Sequence, residues 1–156
     1  MTVTVRPARF PDDLPAIRAL VVEYIDSLEL DLGFQDVDGE LAGLPGAYAP
    51  PRGAMLIAEA AGAPVGIGAM RALPDGSAEM KRMYLRPAAR GTGAGRALAV
   101  AIIEAARAAG YPRMRLDTQT SFVPAVALYR SLGFRDTPRY NDNPLPGSLF
   151  MALELS

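Results

Sequence analysis

Three short apolar runs, MLIAEA (55–60), VGIGAMRAL (65–73) and AEMKRMYL (78–85), stand close together in the chain, separated by Gly62-Ala63-Pro64 and Pro74-Asp75-Gly76. Runs this short, broken by Gly and Asp-Gly, pair locally as antiparallel strands, because tight turns of that chemistry follow the strand twist. An antiparallel meander therefore sits at the centre of the chain. RPAARGTGAGRALA (86–99) comes next, a glycine-rich stretch running into Leu98, Ala101, Ile102, Ala105 and Ala109 at helical spacing, with Gly110 as the stop.

The flanks extend this pattern. Val3 to Arg6 reads as a first strand. Asp12 or Asp13 can cap a helix to about Leu28, with Ile17, Leu20, Val21, Tyr24 and Ile25 on its apolar stripe. Periodicity weakens over 31–51, where a short helix around Asp38 to Leu41 precedes the loop LPGAYAPPRG; a connection this long usually serves a function. Beyond the central helix, Arg113 to Asp117 forms a strand and Pro124 opens a short helix with Ala125, Leu128, Tyr129 and Leu132 inside. Gly133-Phe134 closes that helix, and SLFMALEL (148–155) is a last strand. The expectation is one α+β domain over residues 1–156.

Composition narrows the chemistry. Half the residues are apolar and 21% charged, enough to bury a core and unlike a disordered chain. Lys plus Arg total 16 against 17 acids, so a general nucleic-acid binder is disfavoured. Cysteine and histidine are both absent. That excludes a disulfide framework, thiol catalysis, a Ser-His-Asp triad and the usual zinc sites. A general base must be a carboxylate, a lysine, a tyrosine or a bound water. The N-terminus MTVTVRPARF has no leader-like apolar core, and no apolar run reaches membrane-spanning length, so a cytoplasmic protein with no membrane partner is expected.

The glycine loop admits three phosphate-binding readings, and spacing removes two. No G-x-x-x-x-G-K-[ST] string occurs. For G-x-G-x-x-G/A, counting from Gly91 puts Arg96 in the sixth position and from Gly93 puts Leu98 there, so both registers fail. The third reading is Arg90-x-x-Gly93-x-Gly95 at a helix start, where glycines let the backbone approach a ligand and free amides face an anion. Arg90 and Arg96 suit a pyrophosphate. A simple helix entry built of small residues for packing is the competing reading.

Glu79, on the strand leading into the loop, and Tyr129, within ALYRSLGF (127–134), complete a combination that resembles the GNAT superfamily of acetyl-CoA-dependent N-acetyltransferases. The resemblance spans nearly the whole chain through EMKRMYLRPAARGTGAGRAL, RLDT, ALYRSLGF and the closing strand, and YNDNPLPGSLFMAL is similar to an uncharacterised bacterial branch. It implies α/β/α layers around a mixed, mostly antiparallel sheet in which one strand pair splays. The cofactor's pantetheine arm would enter that opening against Met83, Tyr84 and Leu85. Its pyrophosphate would rest on Arg90, Gly91, Thr92, Gly93, Ala94, Gly95 and Arg96.

By the same resemblance, a bound primary amine attacks the thioester directly, Glu79 serves as base alone or through water, and Tyr129 protonates the departing sulfur. The alternatives to these roles are Glu79 as a solvated strand charge beside Lys81 and Tyr129 as a core aromatic. Arg82 and Arg86 read as surface charges or contacts to the nucleotide 3′-phosphate. Phe122 stands where many members have a cofactor-contacting Asn, with Ser121 or Thr118 as polar substitutes. Tyr24, Phe34, Gln35, Tyr140 and Asn143 are candidates for the acceptor site. A small-molecule amine is the expected acceptor; a protein N-terminus or lysine, or a CoA-binding sensor without turnover, are the alternatives. No metal is implied, and although dimers are common in the family, nothing in the sequence requires one.

Overall fold

Tight turns at the ends of the meander set the architecture. Ala61 and Gly62 both adopt left-handed backbone (φ 51° and 77°), the geometry of a two-residue hairpin turn, so the third strand starts at Ala63 rather than beyond Pro64. At the next turn Asp75 Oδ1 accepts the Ser77 N–H at 2.8 Å, which fixes the Asp-Gly reversal. A computed structural model describes residues 2–28 and 37–156. The expected acceptor-site residues Phe34 and Gln35 lie outside the described residues.

The described strands are β1 (Val3–Pro7), β2 (Ala54–Ala60), β3 (Ala63–Ala72), β4 (Ala78–Leu85), β5 (Arg113–Gln119), β6 (Arg135–Asp136) and β7 (Ser148–Glu154). They form a sheet ordered β1-β2-β3-β4-β5-β7-β6, antiparallel throughout except for the parallel β4/β5 contact. Four α-helices are described: α1 (Leu14–Ser27), α2 (Val37–Ala42), α3 (Ala94–Ala108) and α4 (Val123–Ser131). The α+β class with α/β/α layering and a mixed sheet is as expected. The two-residue β6 gave no alternation to read.

Each sheet face has its own core. On one side Leu98, Ile102 and Ala106 of α3 pack with Leu56, Met70, Met80 and Met114, joined by Tyr129 and Phe134. On the other, Ile17, Leu20 and Val21 of α1 pack with Tyr48, Ile57, Ile67 and Tyr84. Fully buried side chains such as Leu98 and Ile17 contribute about 1.5–3 kcal/mol each. The 45–53 connection is packed: Tyr48 is core, and Arg52 lies over the Tyr111 ring at 3.9 Å.

Asp13 occupies the N-cap position of α1 but its side chain makes no capping bond. It instead accepts from Arg6 at 2.7 and 2.9 Å and from the Arg9 N–H at 2.6 Å, joining the helix entry to β1. A bidentate guanidinium outcompetes a backbone amide for the carboxylate.

Candidate active site

The parallel contact is short and then opens. β4 and β5 are in register only at Ala78–Met114 and Glu79–Arg115; beyond that point they part. On the β3 side, Ile67 pairs with Tyr84 and Ala69 with Lys81, so Arg82 and Met83 together face Gly68 as a β-bulge. Arg82 takes the left-handed φ of 59° that this bulge demands. An added Cβ on Gly68 would stand 2.6 Å from both Met83 Sδ and Ile102 Cδ1, so only glycine fits beneath the bulge without displacing them.

A cavity of about 540 Å³ fills the opening. Met83, Tyr84 and Leu85 line one wall and Thr118, Gln119 and Ser121 the other, with Phe122, Pro124, Ala125 and Tyr129 contributed from α4 and its entry. Arg90 reaches its edge, while Gly91 through Arg96 form the adjoining helix entry without lining the cavity. Tyr24 of α1, Lys81, Arg82, Asp117 and Asn143 also line the cavity. Tyr140 and Glu79 lie outside the lining.

The loop leaves its donors open. Gly93 has φ 87° and ψ 1°, a left-handed conformation that turns the chain into α3. Ala97 N–H donates to Gly93 O, and Thr92 Oγ1 donates to Ala89 O. Among the described residues the amides of Gly91, Thr92, Gly93, Gly95 and Arg96 find no protein acceptor. Unpaired amides beside the positive end of a fifteen-residue helix form an anion cradle. Arg90 Nε donates to Leu85 O at 3.3 Å, and Arg96 Nη1 to Ser131 Oγ at 3.0 Å, so the two guanidiniums flank the loop. The residues present fit a pyrophosphate.

Tyr129 is 7% exposed and packs edge-on to Phe134, yet it lines the cavity. Its hydroxyl has no hydrogen-bond partner among the described residues. Burial pushes its pKa up, so the phenol keeps its proton. Core aromatic and cleft-facing acid are thus compatible in one side chain: the ring fills core and the oxygen faces space.

Glu79 is not a solvated strand charge. It is 1% exposed, its Oε1 accepts from Arg71 Nε at 3.0 Å, and its Oε2 accepts from the Tyr140 hydroxyl at 2.6 Å. Lys81, next on the same face, lies 4.0 Å from Oε1 and has its pKa lowered, chiefly by burial. Arg82 corrects its reading as a surface charge: it is 6% exposed and donates to both oxygens of Glu40 at 2.7 and 3.0 Å. Tyr48 completes that group by donating to Glu40 Oε1 at 2.7 Å. Arg86, more exposed, pairs with Glu23 at 2.7 Å.

Sequence reasoning missed Lys81 and Asp117 as cavity residues. Strand alternation on β4 and β5 could have found them, since each lies two positions past a paired residue. Arg82 could not be found that way, because the bulge breaks the alternation.

The GNAT acetyltransferase family model matches residues 19–134. An uncharacterized N-acetyltransferase of Schizosaccharomyces pombe is 40% identical over 156 residues, covering 99% of this chain and 96% of its own. The IAA acetyltransferase of Azospirillum brasilense is 37% identical over 135 residues, covering 84% and 88%. The structure of yncA from Salmonella typhimurium, solved with its cofactor acetyl-CoA, superposes with a TM-score of 0.79 at 23% identity, over 100% of this chain and 95% of that one. With the splayed strands, the open loop amides and these likenesses together, the chain belongs to the GNAT family of acetyltransferases, which draw their acetyl group from acetyl-CoA.

Proposed function

We propose that this acetyltransferase carries the acetyl group to the primary amine of a small molecule in the cytoplasm, by direct attack and without an acyl-enzyme. The loop carries the reading: five amides without protein acceptors adjoin a cavity into which an unpartnered phenol faces. Bound acetyl-CoA supplies a thioester, whose carbonyl accepts the amine and whose sulfur leaves. Arg90 and the amides from Gly91 to Arg96 hold the pyrophosphate, and Met83 to Leu85 guide the arm along the bulged strand. Ser121 and Thr118, both on the cavity wall, supply polar contact beside Phe122.

Tyr129 holds a proton at its phenolic oxygen for the departing sulfur, a role favoured by the burial that keeps it un-ionised. Glu79 receives the amine's proton through water, since its carboxylate stands behind the cavity wall in contact with Arg71, Lys81 and Tyr140. Tyr24 and Asn143 border the acceptor, and Tyr140 acts on it through Glu79. The small-molecule choice rests on the size of the cavity, about 540 Å³, which is that of a small-molecule site. The test is calorimetry with acetyl-CoA followed by free-thiol release over a panel of primary amines and of peptides. Binding with turnover on amines is expected. Turnover on peptides alone moves the acceptor to protein, and absence of acetyl-CoA binding overturns the loop assignment.

A further inference from the structure

The opening between β4 and β5 begins with two opposite charges that do not touch. Glu79 and Arg115 are the last paired residues, and side chains recur on one face every second position, so Lys81 and Asp117 continue that face on diverging strands. Both line the cavity. The Lys81 ammonium is 11% exposed and meets a carboxylate oxygen only at 4.0 Å, that of Glu79, which already accepts from Arg71 at 3.0 Å. Asp117 Oδ2 accepts from Asn141 and Asn143 at 2.9 and 3.1 Å, whereas its Oδ1 accepts from no described residue. Asn143 is in turn held by its own Oδ1, which accepts the Leu145 N–H at 2.9 Å.

The two charges stand on facing strands that have parted, and they form no ion pair with each other. Half-buried charges left apart across open space offer matching groups to a ligand that can complete them. A ligand bearing an anion and a cation side by side completes both, and leaves the net charge of the cavity unchanged. A plain amine leaves Lys81 without its partner. A peptide N-terminus, whose carboxyl is an amide, leaves it so too.

We infer that the acceptor is a free α-amino acid, its carboxylate bound by Lys81 and its amino group by Asp117 Oδ1. This rests on reading the cavity as the acetyl-transfer site. In the transfer a nitrogen–carbon bond forms and the carbonyl–sulfur bond breaks, with that electron pair left on sulfur. The ammonium gives up two protons in total. One is lost to solvent through the water at Glu79, and the other balances the proton that Tyr129 gives to sulfur. The products are an N-acetyl amino acid and free CoA thiol. Tyr24, Leu28 and Leu145 line the same cavity and offer apolar surface to a side chain.

L-leucine, L-leucinamide and isopentylamine keep one side chain while changing or removing the carboxylate. Thiol release should show kcat/KM for leucine exceeding both others by about tenfold or more, the worth of one charge-assisted hydrogen bond. Lys81→Met should collapse that ratio towards one, while Asp117→Asn should lower kcat/KM for all three. A wild-type enzyme that prefers leucinamide or isopentylamine overturns the inference, as does a Lys81→Met variant that keeps the leucine preference. A thermal-shift series with leucine in the presence of CoA separates this from the acetyl-transfer reading. Stabilisation by leucine that Lys81→Met abolishes, with no turnover on any acceptor, sustains amino-acid binding and refutes transfer. No stabilisation and no turnover refutes the amino-acid site.

Discussion

Gly93 and Gly95 lie two residues apart in the same loop, yet they should fail in different ways when a methyl group is added. At Gly93 an added Cβ meets nothing within 4 Å, so the cost of Gly93→Ala is purely conformational. Holding alanine at φ 87° costs about 1–2 kcal/mol. For a chain of this length that lowers Tm by roughly 2–8 °C. The chain can escape the strain only by rotating the peptides on either side, which carry the Gly93 and Ala94 N–H groups, and so turns the Gly93 amide away from the cradle. Acetyl-CoA affinity should then fall by about tenfold or more, the equivalent of one or two lost hydrogen bonds to a charged group. At Gly95 the added Cβ would point inward, 3.3 Å from Leu85 Cδ1 and 3.7 Å from Leu128 Cδ2, both ends of flexible side chains. Alanine is also the better helix former by about 0.5–1 kcal/mol, so Gly95→Ala should hold Tm level or raise it and keep near-native affinity. Differential scanning calorimetry and isothermal titration with acetyl-CoA measure both quantities. A Gly93→Ala protein that melts lower but binds acetyl-CoA as the wild type does would refute the amide cradle. One that melts unchanged would refute the strain.

Tyr129→Phe should lower kcat by about 10²-fold or more while leaving Tm and acetyl-CoA affinity close to wild type, because the hydroxyl has no protein partner to lose; steady-state kinetics beside calorimetry decide it, and unchanged kcat removes the acid role. Glu79→Gln keeps the shape but not the basicity, so kcat should fall by about 10²-fold with acetyl-CoA affinity unchanged; an unchanged kcat assigns the base elsewhere. Arg6 holds the Asp13 carboxyl down to about 2, below its ordinary 3.8. A depressed folded-state pKa gives stability that is present above the unfolded value and lost as pH falls through the folded one. Discounted for its surface setting, the contribution is about 1–2 kcal/mol, lost between about pH 4 and 2. Asp13→Asn should flatten urea-unfolding stability over that window, and an unaltered slope refutes the assignment.

Much of the fold was legible because its signals are local. The meander followed from Asp-Gly and Gly turns, and α3 from a small-residue stripe ending at Gly110. Boundaries moved where tertiary contacts won: Asp13 left its capping role for Arg6, and β3 began at Ala63 once Ala61 accepted a left-handed turn. The loop was read from its glycines at a helix start, and Tyr129 was singled out only through a family resemblance. Alternation along β4 and β5 marks the face of Lys81 and Asp117, but that the two strands pair for two residues and then separate is a relation between segments distant in sequence. The burial of Arg82 depends on Glu40, 42 residues away, a relation that no periodicity records.

The bulge at Arg82 links parts of the protein that would otherwise be independent. Its left-handed residue is locked by two bonds to a carboxylate on α2, and Met83, its companion opposite Gly68, lies on the wall of the cleft. The contour of that wall is therefore not a property of the sheet alone. A displacement of the short helix would remove both of these bonds from Arg82 and bear on the bulged backbone and on the wall at Met83. Substitutions at Glu40 should therefore be felt as altered acetyl-CoA affinity.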